Sequence, residues 1–134
     1  MKWCDDGENV ALTRLLTDYS ALANLYLGLY MDTTEPAEDE TLSGLTEPDY
    51  ATKFSEGARI ALAKADWSIV ADTATNLLKT FTAILDVGNV YGYFICDVAS
   101  GTAGKVYGVE HFADGPYNVL TGGMIKITPR IIAS

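Results

Sequence analysis

The sequence predicts a mainly β chain: an antiparallel β-sandwich, jelly-roll or immunoglobulin-like, with a short N-terminal helix and a long acidic loop. Three observations predict it. Apolar residues recur at every second position over several short runs, the period of an extended strand. Turn residues separate those runs: Gly101 and Gly104, then Asp114-Gly115-Pro116, then Thr121-Gly122-Gly123. Strands and helices do not alternate in the βαβ order of a parallel sheet, and no segment repeats. A chain of 134 residues suits one domain with one core. Residues 1–20 read as an arm with the helix, and residues 21–134 as the sandwich, its loop at 32–49.

The elements follow in chain order. "GENVALTRLLT" sets Val10, Leu12, Leu15 and Leu16 near one side of a helical wheel, with Glu8 in the first turn. In "ALANLYLGLYM", Leu25, Leu27 and Leu29 alternate with Tyr26, Gly28 and Tyr30, a strand apolar on both faces. Residues 32–49 hold seven acids, no bases and two prolines, so they predict a long exposed loop that buries little. A short turn or helical piece near Asp49 to Phe54 leads into "ARIALAKADW", where Arg59, Ala61 and Ala63 alternate with Ile60, Leu62 and Lys64. "LLKTFTAIL" offers a further strand. The hairpin "VYGYFICDVASGTAGKVYGVEHF" follows, again apolar on both sides, then a brief "YNVL" strand, a Gly-Gly reversal and "MIKITPRII". Pro129 cannot donate to a ladder and predicts an edge position or a bulge in that last strand. About seven strands result.

Charge is divided unevenly. Residues 1–50 carry eleven acids against Lys2 and Arg14, a balance of −9, whereas residues 51–134 carry seven of each sign. Such a chain is repelled by phosphates, so direct nucleic-acid binding is not expected, and a basic protein surface suits it better. Asp5, Asp6 and Glu8 stand where a secretory signal would place an apolar run, and no stretch approaches the roughly 20 apolar residues of a membrane helix. We expect no membrane partner and folding in a reducing cytosol, Cys96 buried and Cys4 incidental.

Motifs of chemistry fail on inspection. "SGTAGK" lacks the first glycine of a phosphate loop, which Ala99 replaces, and Val106 stands where the Ser or Thr belongs. His111, the single histidine, lies on a strand with Glu110 on the opposite face and no serine elbow nearby. It reads as a partly buried or interface residue. The acids of "AEDE" lack the spacing of a calcium loop. No catalytic, cofactor-binding or metal-ligating residue is therefore expected. Eight tyrosines suit a surface that is apolar yet holds hydrogen bonds, as in protein interfaces and sugar platforms.

One resemblance is carried by Val90-Tyr91-Gly92-Tyr93-Phe94 with Asp97, Glu110 and Phe112, Asp114-Gly115-Pro116-Tyr117, and Ile125-Lys126-Ile127-Thr128-Pro129. A weaker part is the Leu/Tyr strand ending at Tyr30, a Pro-containing loop and Leu45-Thr46-Glu47. In their order these segments resemble a family of small structural proteins of tailed bacteriophages. Gly108 and His111 depart from its pattern, where relatives often carry Trp and Arg. The resemblance implies a non-enzymatic virion component, assembled in the host bacterial cytoplasm. Foremost is a capsid cement or decoration protein on the capsid surface, whose partner is the major capsid protein and whose form is a homo-oligomer, a trimer favoured. A tail or head-to-tail component comes next, and a carbohydrate-binding module using tyrosines and Trp67 is the alternative of a different class. Under the cement reading the second apolar face of the hairpin, with Tyr91, Tyr93, Phe94, Tyr107, Val109 and His111, is the candidate self-association face. Glu35, Glu38, Asp39 and Glu40 are the candidate capsid-contact arm.

Overall fold

A computed structural model of the chain describes residues 2–16, 24–71 and 73–132. It is mainly β and antiparallel, with one short helix near the start. Its elements are β1 (Lys2–Trp3), α1 (Asp5–Leu16), β2 (Leu25–Tyr30), a 3-10 turn (Leu42–Gly44), α2 (Tyr50–Lys53), β3 (Ile60–Leu62), a 3-10 turn (Lys64–Asp66), β4 (Ser68–Val70), β5 (Thr73–Thr75), β6 (Lys79–Thr82), β7 (Gly88–Val90), β8 (Gly92–Cys96), β9 (Val106–His111), β10 (Tyr117–Val119), β11 (Met124–Ile127) and β12 (Arg130–Ile132).

A five-stranded antiparallel sheet in the order β1-β9-β8-β2-β3 forms the centre. Its register sets Leu29 opposite Tyr93, Leu27 opposite Ile95 and Gly28 opposite Phe94, so each pair shares a face. The first face carries Leu25, Leu27, Leu29, Tyr93, Ile95 and Tyr107. These pack against Phe54, Phe81, Val90, Val119, Ile125 and Ile127, contributed largely by the two-stranded ribbons β6–β11 and β7–β10. That is the sandwich core.

The second face carries Tyr30, Phe94, Cys96, Val106 and Val109, and it is equally buried. Its cover comes from the same chain: Leu42 and Leu45 of the acid-rich loop and Cys4 of the arm complete this second cluster. Pro36 and Pro48 are buried as well. The expectation of a loop that buries little is corrected here. Spaced apolar residues let it lie on the sheet as a layer while Glu35, Glu38 and Asp39 stay exposed.

The arm is also part of the fold, since Lys2 and Trp3 pair with Val109 and Gly108 at the sheet edge. Cys4 is fully buried and gives its N–H to the Tyr107 carbonyl at 2.9 Å, so it is a core residue and not incidental. Helix α1 begins at Asp5, earlier than Glu8, with Asp5, Asp6 and Glu8 against its positive end. Val10 packs on the first core. The packing of Leu12, Leu15 and Leu16 lies outside the described side chains, and Tyr19 outside the described residues.

The described residues form twelve strands where the pattern predicts about seven. "ARIALAKADW" keeps a strand only over Ile60–Leu62 before turning at Lys64–Asp66, and "LLKTFTAIL" only over Lys79–Thr82. Residues 68–75 add the hairpin β4–β5, which turns at Ala71 with a φ of 55°. Pro129 does more than bend the last strand. It divides it into β11, paired with β6, and β12, paired with β5, because a residue without an N–H cannot extend either ladder. Its carbonyl instead accepts the Asn76 N–H at 2.9 Å.

Candidate functional site: the acidic face

The loop and the arm meet over the second face of the sheet. The Asp5 N–H donates to the Glu38 carbonyl at 3.0 Å, and the Lys2 ammonium lies 3.7 Å from the Glu35 carboxylate and 3.4 Å from the Pro36 carbonyl. Local bonds shape the loop between these points. Asp32 accepts the Thr46 N–H at 2.8 Å, and the Met31 N–H reaches the Thr46 carbonyl at 2.7 Å, closing the loop at its base. Glu40 accepts the Thr41 N–H at 3.0 Å. The result joins two acidic segments that are separate in sequence: the helix start with Asp5 and Asp6, and the loop with Glu35, Glu38, Asp39 and Glu40. Asp5, Glu35, Glu38 and Asp39 are exposed, and Glu40 is half-buried. Among the described residues no group of three or more His, Cys, Asp or Glu is placed to hold a metal ion.

One base and one acid anchor this layer. Arg59 is buried and donates to both oxygens of Glu47, at 3.0 and 2.6 Å, and to the carbonyls of Val98 and Gly101 at 3.0 and 2.9 Å. Its guanidinium also stands 5.4 Å above the Phe94 ring. The Tyr50 hydroxyl donates to Glu47 at 2.8 Å and accepts the Leu29 N–H at 2.8 Å. Loop end, sheet and the turn after β8 are thereby bolted together. In the sequence, a lone arginine inside an alternating apolar strand is the signal that could have pointed here.

The expected self-association face is corrected. Phe94 and Val109 are fully buried under the loop, and Tyr93 and Tyr107 lie in the first core, on the other side of the sheet. A register shift sets Ile95 opposite Gly108 and Cys96 opposite Val106, and the Tyr107 ring lies in the first core. Tyr91 and His111 are half-buried. His111 Nδ1 lies 2.9 Å from the Tyr30 hydroxyl, and its ring stacks between Tyr30 and Tyr91 at centroid distances of 5.9 and 6.0 Å. Trp67 is half-buried against the first core.

Buried acids of high pKa give the fold an alkaline limit. Burial, reinforced by Asp5, Glu40 and Asp6 and opposed by Lys2, pushes the Cys4 thiol from 9.0 up to about 11. Burial and then Glu110 push Tyr93 from 10.0 up to about 12. Tyr30 and Tyr50 are raised too, again chiefly by burial. The unfolded chain ionises these groups first, so it binds fewer protons and stability falls as pH rises through this range. We expect the melting temperature to drop between about pH 9 and 11, with a shallower slope in Cys4→Ala. A flat melting profile from pH 8 to 11 would contradict the assignment.

No protein-family model matches the chain, and none of the curated proteins matches it in sequence. No helix among the described residues is long and apolar enough to cross a membrane.

Proposed function

We propose that this chain is a structural component of a bacteriophage virion, a capsid cement protein that binds the assembled shell and bridges major capsid subunits. The observation that carries the reading is the acidic face: two acidic segments distant in sequence are joined by the main-chain hydrogen bond from Asp5 to Glu38 and by the Lys2–Glu35 ion pair. The resemblance to small structural proteins of tailed phages supports it from the sequence side. A rigid display of charge suits a ligand that must meet a repeating basic surface in one orientation. A protein that binds the shell and not free subunits stabilises the shell by mass action, and many copies make a weak contact sufficient. The trimeric state remains part of the proposal, but its contact is not the buried hairpin face.

Two measurements test this reading. Copies of the chain per purified particle, compared with the major shell protein, should be of lattice number. A single ring's worth would move the chain to the tail or connector. Reversing Glu38, Asp39 and Glu40 together to Lys should abolish shell binding, and wild-type binding should weaken steeply with salt. Unchanged binding by the triple variant would remove the acidic face from the contact.

A further inference from the structure

A groove of about 630 Å³ lies between β10 and β11 and ends against the last residues of β9. It is lined without interruption by residues 110–114, 116–120 and 123–128. Side chains of a strand alternate between its two faces, so a cavity touched by every successive residue of β10 and β11 meets those strands at their edges. Both edges are open: among the described residues β10 pairs only with β7, and β11 only with β6. About half of the backbone N–H and C=O groups of such a strand point away from its one partner. The groove is therefore walled in part by main chain outside both ladders, with the Leu120 carbonyl taken by Gly123 and the Arg130 N–H by the Tyr93 hydroxyl. At its mouth Tyr117, Leu120 and Met124 are exposed, with 42%, 54% and 60% of their surfaces accessible.

We propose that this groove accepts an extended segment of another polypeptide, added as a strand along the β11 edge, with apolar side chains facing inward and an acid facing outward. Main-chain bonds to an open edge supply affinity in this mode, and pockets for alternate side chains supply selectivity. The pattern of the ligand follows from its future neighbours, because residues on one face of adjacent strands interact. Inward, they are Ile125 and Ile127 on β11, with Tyr93, Phe112 and Val119 across the groove. Outward, the neighbour is Lys126, and Arg130 follows beyond Thr128. Glu110 at the end of β9 and Asp114 in the turn after it line the other wall, so the ligand's acid belongs on the β11 side. Charge complementarity thus selects an acidic, apolar strand. The inference does not rest on the capsid reading.

The probe is a capped nonapeptide that alternates valine and threonine and carries one central glutamate, titrated into the isotopically labelled full chain and followed by amide NMR shifts. We expect saturable shifts confined to Tyr93 and residues 110–130. Replacing the central glutamate by lysine should weaken binding about tenfold, and Lys126→Glu should reverse that preference. Methylating alternate peptide nitrogens, which removes main-chain donors while keeping the side chains, should also cost about tenfold. Equal binding by the methylated peptide, or no shifts at millimolar peptide, would overturn the proposal. So would shifts at Phe112 and Tyr117 with N-acetylglucosamine oligomers and none with peptide, since rings 5.0 Å apart would then be serving a sugar.

Discussion

Arg59→Ala is expected to lower the unfolding free energy by about 3–5 kcal/mol, a large share of the roughly 5–15 kcal/mol that holds a domain folded. The loss has two sources. Glu47 would be left as a partly buried carboxylate without its counter-charge, and the carbonyls of Val98 and Gly101 would lose their donor. Most of that cost reflects the stranded partner rather than the intrinsic worth of the pair. The double variant Arg59→Met with Glu47→Leu should therefore regain much of the loss. Urea unfolding of the single and double variants measures both quantities. A loss below about 1 kcal/mol in Arg59→Ala would show that the pair behaves as a solvent-exposed bridge.

Phe94→Ala should cost a similar amount, about 3–5 kcal/mol, because the ring is fully buried at the centre of the second core. It occupies the space that Gly28 leaves open: a Cβ on Gly28 would collide with the tip of the ring, at Cζ and Cε1. Gly28→Ala alone should therefore destabilise by about 1–3 kcal/mol through overpacking. In the Phe94→Ala background the same methyl has room, so its penalty should vanish. This non-additivity is the signature of direct contact. Phe94 also supports Leu42 and Leu45 from beneath. Limited proteolysis within residues 32–44 should accordingly accelerate in Phe94→Ala, and an unchanged cleavage rate would separate the loop's order from the ring.

The class of fold was legible in the sequence because period-2 alternation and glycine turns are local signals. The strands β2, β8 and β9 and the Gly-Gly reversal follow from them. What covers each face was not legible. Apolar residues on both sides of the hairpin require a cover on both sides, but alternation does not say whose. The composition of residues 32–49 argued for solvent, and four well-spaced apolar residues, Pro36, Leu42, Leu45 and Pro48, overrode seven acids. The strand boundaries at Leu62, Thr82 and Pro129 depend on partner changes between distant segments, which periodicity does not encode. The groove was invisible for the same reason, since an open edge is a property of pairing and not of sequence.

Because the acid-rich loop is a layer of the fold, its charge cannot redistribute as it would in a loose tail. The excess of nine negative charges in the first 50 residues, set against a neutral remainder, gives the molecule an electric dipole whose direction is tied to the sheet. In the field of a basic surface a free molecule rotates before it touches, and the acidic side arrives first. Orientation is thus largely settled during approach, and its speed is the quantity that added salt would slow.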